Sequence, residues 1–254
     1  MTTPANPLDL SNKVMLITGG AQGIGEATAR LCAERGARVV IGDFNPRGEE
    51  VARSITEAGG SAAFVQTDVR EDAQVAAMVE AVRTLHGRLD ILVCAAGVLK
   101  GPYMQPEDLP IEEFEMTIDV NIKGVFLCAR HAASLLEQSG DGVMIVVASG
   151  AGVIGPSSSL AYGASKGGAN GLGMTLANHL KGRNIRVNTL APGNIVTDMK
   201  MSVEIAGAQR EGRSVEAAIA KAQQDYGVPE GVARVIAFMV SPEADYLRGV
   251  VFTR

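Results

Sequence analysis

The sequence predicts an α/β fold, in which a three-layer, doubly wound sheet of seven parallel strands carries helices on both faces. Apolar runs of strand length alternate with longer segments of helical periodicity along the 254 residues. Most of the runs are apolar at every position, which is typical of strands buried on both faces of a parallel sheet. Because no repeat or linker interrupts this alternation, residues 1–254 are expected to form a single domain.

The first strand leads into a glycine turn. The apolar run 14–17 is followed by three spaced glycines and then by the helical pattern of residues 26–35. A turn between strand and helix presents backbone N–H groups and the positive end of the helix dipole to a phosphate. Gly19 would permit the tight bend, Gly23 would admit a pyrophosphate, and Gly25 would let helix and strand pack closely. A plain flexible turn is the alternative.

The second strand, at 38–42, is followed by the acidic residue Asp43. Asn45 and Pro46 fit the N-cap and the first position of the next helix better than Asp43 does. Asp43 is then available to accept hydrogen bonds from adenosine ribose hydroxyls, and its charge would repel a 2′-phosphate. The sequence therefore favours NAD over NADP, although Arg47 lies close enough to leave NADP open.

A small-residue turn and an unusual asparagine mark the middle of the chain. Ala95-Ala96-Gly97 follows the fourth strand, where it would either leave room for a flat ring or form an ordinary turn. Asn121 lies near the centre of a helical pattern over 111–138, and asparagine is disfavoured inside helices because its side chain competes for backbone groups. It is either a tolerated surface residue or the mark of a kink that directs a polar group at a site.

The remaining elements continue the alternation. Residues 194–226 are polar and without strand signals, and they are expected to form one or two mobile helices that cover a cleft. The other assignments are strands at 62–66, 89–94, 143–148, 185–190 and 249–252, helices at 72–86, 160–181 and 232–240, and loops at 98–110 and 150–159.

The carboxyl ends of parallel strands share one edge of the sheet, so the turns after strands one, four, five and six should meet in a crevice. Ser149 ends the fifth strand, and Tyr162 and Lys166 lie four residues apart on one face of the helix that follows. A nearby ammonium and a positively charged nicotinamide would lower the pKa of the tyrosine. Tyr162 could then exchange a proton with an alcohol or ketone oxygen that Ser149 holds by a hydrogen bond.

Composition argues against several other classes of protein. The net charge of -5 disfavours a nucleic-acid surface, and the apolar runs are too short to cross a bilayer. The first ten residues lack the basic and apolar regions of a secretory signal. Three widely spaced cysteines and three scattered histidines form no metal-binding or redox pattern. The expectation is a cytoplasmic protein with no metal, no nucleic-acid partner and no membrane partner.

Together these residues resemble the short-chain dehydrogenase/reductase family over nearly the whole chain. The resemblance is carried by Thr18-Gly19-Gly20-Ala21-Gln22-Gly23-Ile24-Gly25, Asp68, Ala95-Ala96-Gly97, Asn121, Ser149, Tyr162, Lys166, Asn188, Pro192-Gly193 and Thr197. It implies a Rossmann fold, a nicotinamide cofactor and a small-molecule substrate. Two departures are Cys94, where the family usually has an asparagine that ties strands together, and the terminal RGVVFTR, which stops short of a glycine-ending tail that often packs near the pocket or a subunit interface.

The resemblance also implies a role for each matching position. Tyr162 is the acid/base, Lys166 binds the nicotinamide ribose and lowers the pKa of the tyrosine, Ser149 orients the substrate, and Asn121 holds a water in a proton path. Asp68 and Val69 match adenine contacts and Thr197 a carboxamide contact, while Gln22 stands where NADP users often carry a basic residue. The expected cofactor-binding set is Gly19, Gln22, Gly23, Ile24, Gly25, Asp43, Asp68, Val69, Ala95, Ala96, Gly97, Tyr162, Lys166, Pro192, Gly193, Ile195 and Thr197.

The expected activity is the NAD-dependent interconversion of an uncharged secondary alcohol and its ketone by hydride transfer. A non-catalytic dinucleotide sensor and an epimerase or dehydratase on the same fold are the alternatives. The expected pocket walls are mostly apolar: Val98, Leu99, Tyr103, Val153, Ile154, Ile195, Met199 and Met201. The glycine-rich helix 160–181 requires close packing to offset its low intrinsic stability. Since the family commonly pairs it and the 111–138 helix across subunits, we expect a homotetramer.

Overall fold

The structure, a computed structural model, describes residues 8–254. Residues 1–7, on which the expected absence of a secretory signal partly rests, lie outside that range. The described chain forms a seven-stranded parallel sheet of order β3-β2-β1-β4-β5-β6-β7, which confirms the prediction. Its strands are β1 (Val14–Thr18), β2 (Arg38–Asp43), β3 (Ser61–Gln66), β4 (Ile91–Cys94), β5 (Gly142–Val147), β6 (Ile185–Ala191) and β7 (Gly249–Phe252).

Helices connect the strands and cover both faces of the sheet. They are α1 (Gly23–Glu34), α2 (Arg47–Glu57), α3 (Asp72–His86), α4 (Ile111–Ile118), α5 (Gly124–Gln138), α6 (Leu160–Leu180), α7 (Asp198–Arg210), α8 (Val215–Asp225) and α9 (Pro229–Met239). A π-helical turn, Asp119–Lys123, separates α4 from α5. Within residues 8–254, no helix is long and apolar enough to span a bilayer.

The sheet separates two apolar cores. On one face, side chains such as Leu16, Leu92 and Met144 pack against α3 and α5. On the other, Met15 and Ile145 pack against α1, α2 and α9. All five of these side chains are fully buried, and burying a side chain of this size contributes about 2 kcal/mol to folding. The consecutive apolar residues of each central strand therefore supply both layers at once.

The sheet topology places a crevice at one edge. The chain runs outward from β1 through β2 to β3, and then returns to the other side of β1 with β4. The helices after β1 and β4 therefore lie on opposite faces, and a cleft opens at the carboxyl ends of these two strands. This is the edge at which the sequence places its candidate site.

Cys94, the residue that departs from the family, is buried at the end of β4. It pairs in register with Thr18 of β1 and Val146 of β5. Its side chain lies in the same core as Cys128 of α5. A hydrogen bond with the Cys128 thiol and burial both raise the pKa of Cys94, so it remains a neutral thiol. The strand end is thus hydrogen-bonded on both sides despite the substitution.

Close packing within the chain explains several glycines of α6. A Cβ atom on Gly168 would lie 2.4 Å from Cδ1 of Ile122, and one on Gly173 would lie 2.4 Å from Oγ1 of Thr189. A Cβ on Gly171 would meet nothing within 4 Å. The helix therefore approaches the π-helical turn and β6 through two glycines, whereas Gly171 faces open space.

Candidate active site

A cleft of about 880 Å³ lies at the carboxyl edge of the sheet. It is lined by every residue of the expected cofactor-binding set and also by Ser149. Asn121 does not line it. The structure therefore brings together all seventeen predicted cofactor-binding residues. It also brings together three of the four predicted catalytic side chains, which are Ser149, Tyr162 and Lys166.

The glycine turn is built by close approaches that a larger residue would prevent. Gly19 has φ +75°, and a Cβ there would lie 2.5 Å from the backbone nitrogen of Ala96. A Cβ on Gly25 would lie 2.0 Å from the carbonyl oxygen of Gly19. Helix α1 begins at Gly23 with no side-chain cap from Gln22, so its first N–H groups remain for a ligand. The turn has the geometry that a pyrophosphate requires.

Asp43 lies at the end of β2 and does not cap helix α2. Its Oδ2 accepts a hydrogen bond from the Ala21 backbone N–H at 2.9 Å, and its Oδ1 accepts one from the Asn45 N–H at 2.9 Å. Asn45 Oδ1 in turn accepts from the Arg47 N–H at 3.0 Å. Asn45 thus satisfies the start of the helix, as predicted, although the helix begins at Arg47 rather than at Pro46.

Arg47 is the residue because of which the sequence did not exclude NADP as the cofactor. In the structure its guanidinium is already bound by two other groups. Its Nη1 donates to the carbonyl oxygen of Ala21 at 2.6 Å, and its Nη2 lies 2.9 Å from Oε2 of Glu26. Glu26 was not predicted as a site residue, because nothing in the spacing of residues 26 and 47 shows that α1 and α2 bring these charges together. The ion pair lies on the wall of the cleft.

Asp68, which also lines the cleft, is held by Arg70. The guanidinium donates to both carboxylate oxygens, with a shortest distance of 2.6 Å from Nη2 to Oδ2. These hydrogen bonds lower the pKa of Asp68, so the carboxylate is ionised at neutral pH. Arg70 also lines the cleft, although it was not predicted as a site residue.

Tyr162 and Lys166 lie side by side on the wall of the cleft. The Lys166 ammonium is 5.7 Å from the centre of the Tyr162 ring and donates a hydrogen bond to the Val147 carbonyl at 2.8 Å. Burial raises the pKa of Tyr162, while a hydrogen bond with Ser149 acts in the lowering direction. Burial also lowers the pKa of Lys166 to about 8. In the protein alone the pKa of the tyrosine therefore shifts opposite to the expected direction, because removal from water disfavours both charged forms.

Asn121 is buried within the π-helical turn, so it is not the tolerated surface residue that was one of the two interpretations left open by the sequence. Its Oδ1 accepts from the Val98 N–H at 2.9 Å, and its Nδ2 donates to the Val98 carbonyl at 2.9 Å and to Oγ of Ser165 at 2.8 Å. Ser165 Oγ donates to the Tyr162 carbonyl at 2.8 Å. Asn121 therefore fastens the loop after β4 to the helix that carries the tyrosine.

The substrate end of the cleft differs in part from the predicted walls. Val98, Leu99, Tyr103, Ile195 and Met199 line it, whereas Val153, Ile154 and Met201 do not. Ile154 is 72% exposed on its loop. Met201 follows Met199 by two residues in α7, which turns its side chain about 200° around the helix.

Tyr103 lies on a constrained part of the loop. It adopts φ +64°, which is uncommon for a residue with a side chain. Its N–H donates to the Ser158 carbonyl at 2.6 Å, and its ring stacks beneath Arg210 at 5.2 Å from the ring centre. The apolar loops around the substrate end are thus fixed to one another and to α7.

A family model described as short chain dehydrogenase matches residues 13–207. The chain belongs to the short-chain dehydrogenase family. It is 36% identical over 244 residues to the cis-4-hydroxycyclohexanecarboxylate dehydrogenase of Sinomonas cyclohexanicum, covering 95% of this chain and 94% of that protein. It is 33% identical over 249 residues to (+)-borneol dehydrogenase 1 of Salvia officinalis, covering 95% and 91%.

Solved structures agree with the family. The crystal structure of levodione reductase superposes with a TM-score of 0.86 at 30% identity, covering 95% of this chain and 96% of that one. Short-chain dehydrogenases are oxidoreductases that use nicotinamide dinucleotides, and the residues of this cleft fit such a cofactor. The glycine turn lets a pyrophosphate come close to the backbone, and Asp43 presents a carboxylate at the end of the neighbouring strand.

Proposed function

We propose that this short-chain dehydrogenase interconverts an uncharged secondary alcohol and the corresponding ketone, with NAD as its cofactor. The observation that carries the proposal is the position of Tyr162, which lines the cleft with Ser149 and the Lys166 ammonium beside it. Asp43 supports NAD because its charge opposes a 2′-phosphate. When bound, the nicotinamide supplies the hydride chemistry.

The side chains divide the proton transfer between them. The Tyr162 hydroxyl takes the proton of an alcohol or returns it to a ketone oxygen, and Ser149 holds the same oxygen by a hydrogen bond. Lys166, when charged, favours the phenolate form of Tyr162. Asn121 is a positioning residue. The proposed water in the proton path would use the free lone pair of its Oδ1, because both amide hydrogens are already donated.

The apolar lining at the substrate end of the cleft supports an apolar substrate. Val98, Leu99 and Met199 present apolar side chains, and the Lys200 ammonium nearby is paired with Glu204 at 2.9 Å. A substrate carboxylate would have to compete for that lysine. Two relatives are named for ring alcohols, hydroxycyclohexanecarboxylate and borneol, which favours an alicyclic alcohol or ketone. Only borneol is uncharged, so the proposal of an uncharged substrate depends on the apolar lining rather than on these names.

The test is a panel of cyclic alcohols and ketones, assayed by the absorbance of NADH in both directions. We expect turnover with uncharged ring compounds, together with net NADH production or consumption. Turnover confined to acids or phosphorylated compounds would contradict the substrate class. Tight NADH binding without any turnover would indicate a dinucleotide sensor, and product formation without net NADH would indicate an epimerase or dehydratase.

Three further proposals concern the whole molecule. Residues 1–254 act as one domain, and the 194–226 segment, which contains α7 and α8, covers the substrate. The exposed apolar side chains Met116, Phe126 and Met174 on α4, α5 and α6 support a homotetramer, and a stable monomer at micromolar concentration in light scattering would contradict it. The free thiols of all three cysteines support a cytoplasmic location.

A further inference from the structure

We infer that Glu26 is a specificity-determining residue for the cofactor: its carboxylate holds Arg47 against the glycine turn and so keeps this guanidinium from a 2′-phosphate. The inference rests on the proposed function only in requiring that the cleft bind a nicotinamide dinucleotide. It concerns the part of the cleft next to Asp43, where NAD and NADP differ by one phosphate group.

Arg47 lies beside the ribose-binding carboxylate because both contact the same residue. The Ala21 N–H donates to Asp43 Oδ2 at 2.9 Å, and the Ala21 carbonyl accepts from Arg47 Nη1 at 2.6 Å. The Arg47 guanidinium and the Asp43 carboxylate therefore contact the carbonyl and the N–H of one residue, Ala21. A phosphate on the ribose 2′-oxygen would be within reach of Arg47 if the side chain were free to turn toward it.

Glu26 holds the guanidinium in place. Its Oε2 lies 2.9 Å from Arg47 Nη2, while its Oε1 accepts from Nε and Nη2 of Arg30 at 3.0 and 2.9 Å. The Glu26 side chain is 17% exposed, so solvent screens its ion pair with Arg47 less than it screens a fully exposed ion pair. Each carboxylate oxygen thus binds one arginine.

The four charged side chains joined by these contacts have a net charge of zero. Asp43 and Glu26 are negative, and Arg30 and Arg47 are positive. A 2′-phosphate adds close to two negative charges and would have to displace Glu26 from Arg47 to be neutralised. Removing the Glu26 charge leaves the group positive by one and frees Arg47. Asp43 still opposes the phosphate, so a gain in NADP binding is expected rather than a reversal of preference.

Glu26 also lies in the first turn of α1, where a negative charge stabilises a helix. That role would change the melting temperature of a variant but would not change its preference between two nucleotides. The ratio of affinities for 2′,5′-ADP and 5′-AMP is therefore the readout, since the two ligands differ only in the 2′-phosphate and require no turnover.

The experiment measures both affinities by calorimetry for the full chain and for E26Q, R47A, E26Q/R47A and E50Q. We expect E26Q to bind 2′,5′-ADP about tenfold more tightly, because a freed guanidinium adds one charged hydrogen bond at a partly exposed site. R47A alone should change that affinity less than about twofold, and E26Q/R47A should show no gain. E50Q is the matched control, since Glu50 is exposed in the same turn as Arg47 and forms no ion pair among residues 8–254.

Each result decides the inference. An unchanged affinity ratio in E26Q, an equal gain in E50Q, or a gain that survives in E26Q/R47A would overturn it. If E26Q does not fold, a twofold or greater loss of 2′,5′-ADP affinity in R47A would show that Arg47 already serves the phosphate and would overturn the inference, and a smaller change would support the sequestration of Arg47. If the unaltered chain binds neither NADH nor 5′-AMP, the proposed function fails instead.

Discussion

Asn121 is hydrogen-bonded to the backbone of Val98 through both ends of its side-chain amide, at 2.9 Å for each contact. This two-point contact fixes the loop after β4 at the edge of the cleft. The π-helical turn makes the contact available, because it turns a polar side chain out of the helical register and into the protein. The same side chain reaches α6 through Ser165, so loop and catalytic helix are positioned by one residue.

Replacing Asn121 with alanine should therefore destabilise the fold. The change leaves the half-buried Val98 N–H and carbonyl and the Ser165 hydroxyl without their amide partner, and it removes side-chain atoms from a buried position. We expect a loss of about 2–4 kcal/mol in the free energy of unfolding, measured by urea denaturation. Asn178→Ala, at an exposed position of α6, should change the same quantity by less than about 0.5 kcal/mol. Equal losses in the free energy of unfolding for the two variants would show that the contact between Asn121 and Val98 does not stabilise the fold.

The buried Lys166 should make stability depend on pH in a definite direction. Its pKa is lowered to about 8 in the folded protein, whereas in the unfolded chain it returns toward its ordinary value of 10.5. Between these values the unfolded state binds more protons, so the contribution of Lys166 to stability rises with pH and is least favourable below about pH 8.

Comparison with Lys166→Met isolates this contribution, since the other titrating groups are common to both proteins. The free energy of unfolding of the unaltered protein, relative to the variant, should rise by about 2–3 kcal/mol from pH 7 to pH 10. Denaturant titrations at several pH values provide the measurement. A difference that stays constant over this range would mean that the lysine is not desolvated as the structure shows.

Two glycines of α6 should respond to alanine in opposite ways. Gly171→Ala should stabilise the protein by about 0.5–1 kcal/mol, because alanine favours the helix and the new methyl group meets no neighbour. Gly173→Ala should destabilise it by about 1–3 kcal/mol, because the methyl group would overlap Oγ1 of Thr189. The measurement is the thermal unfolding of both variants and of the unaltered protein, with all three in the same oligomeric state. Destabilisation by Gly171→Ala would indicate that another subunit packs on this part of α6.

The sequence was sufficient to predict the sheet and the cleft because both depend on local patterns. Runs of consecutive apolar residues mark strands buried on two faces, and the spacing of Gly19, Gly23 and Gly25 reflects close backbone approaches at Gly19 and Gly25 that the structure contains. Local patterns also predicted Ser149 next to the end of β5, which the structure places at Val147, and predicted Tyr162 and Lys166 on one helix face.

The features that were not predicted depend on contacts between distant segments. The Glu26–Arg47 pair joins two helices, and only the packing of α1 beside α2 brings the charges together. The direction of the pKa shift of Tyr162 depends on how deeply the ring is buried, which spacing does not reveal. Val153, Ile154 and Met201 were wrongly assigned to the pocket wall, because an apolar residue type does not specify the direction of its side chain.

The most direct test of the central claim is the turnover of Tyr162→Phe with a substrate found in the panel, together with its affinity for NADH. The variant keeps the ring and removes only the hydroxyl, and Tyr246→Phe, at a side chain that is 93% exposed, is the control. We predict that kcat falls by about a thousandfold in Tyr162→Phe while NADH affinity stays within about threefold, and that Tyr246→Phe matches the unaltered protein. Retention of full turnover by Tyr162→Phe would contradict the assignment of this hydroxyl as the acid/base.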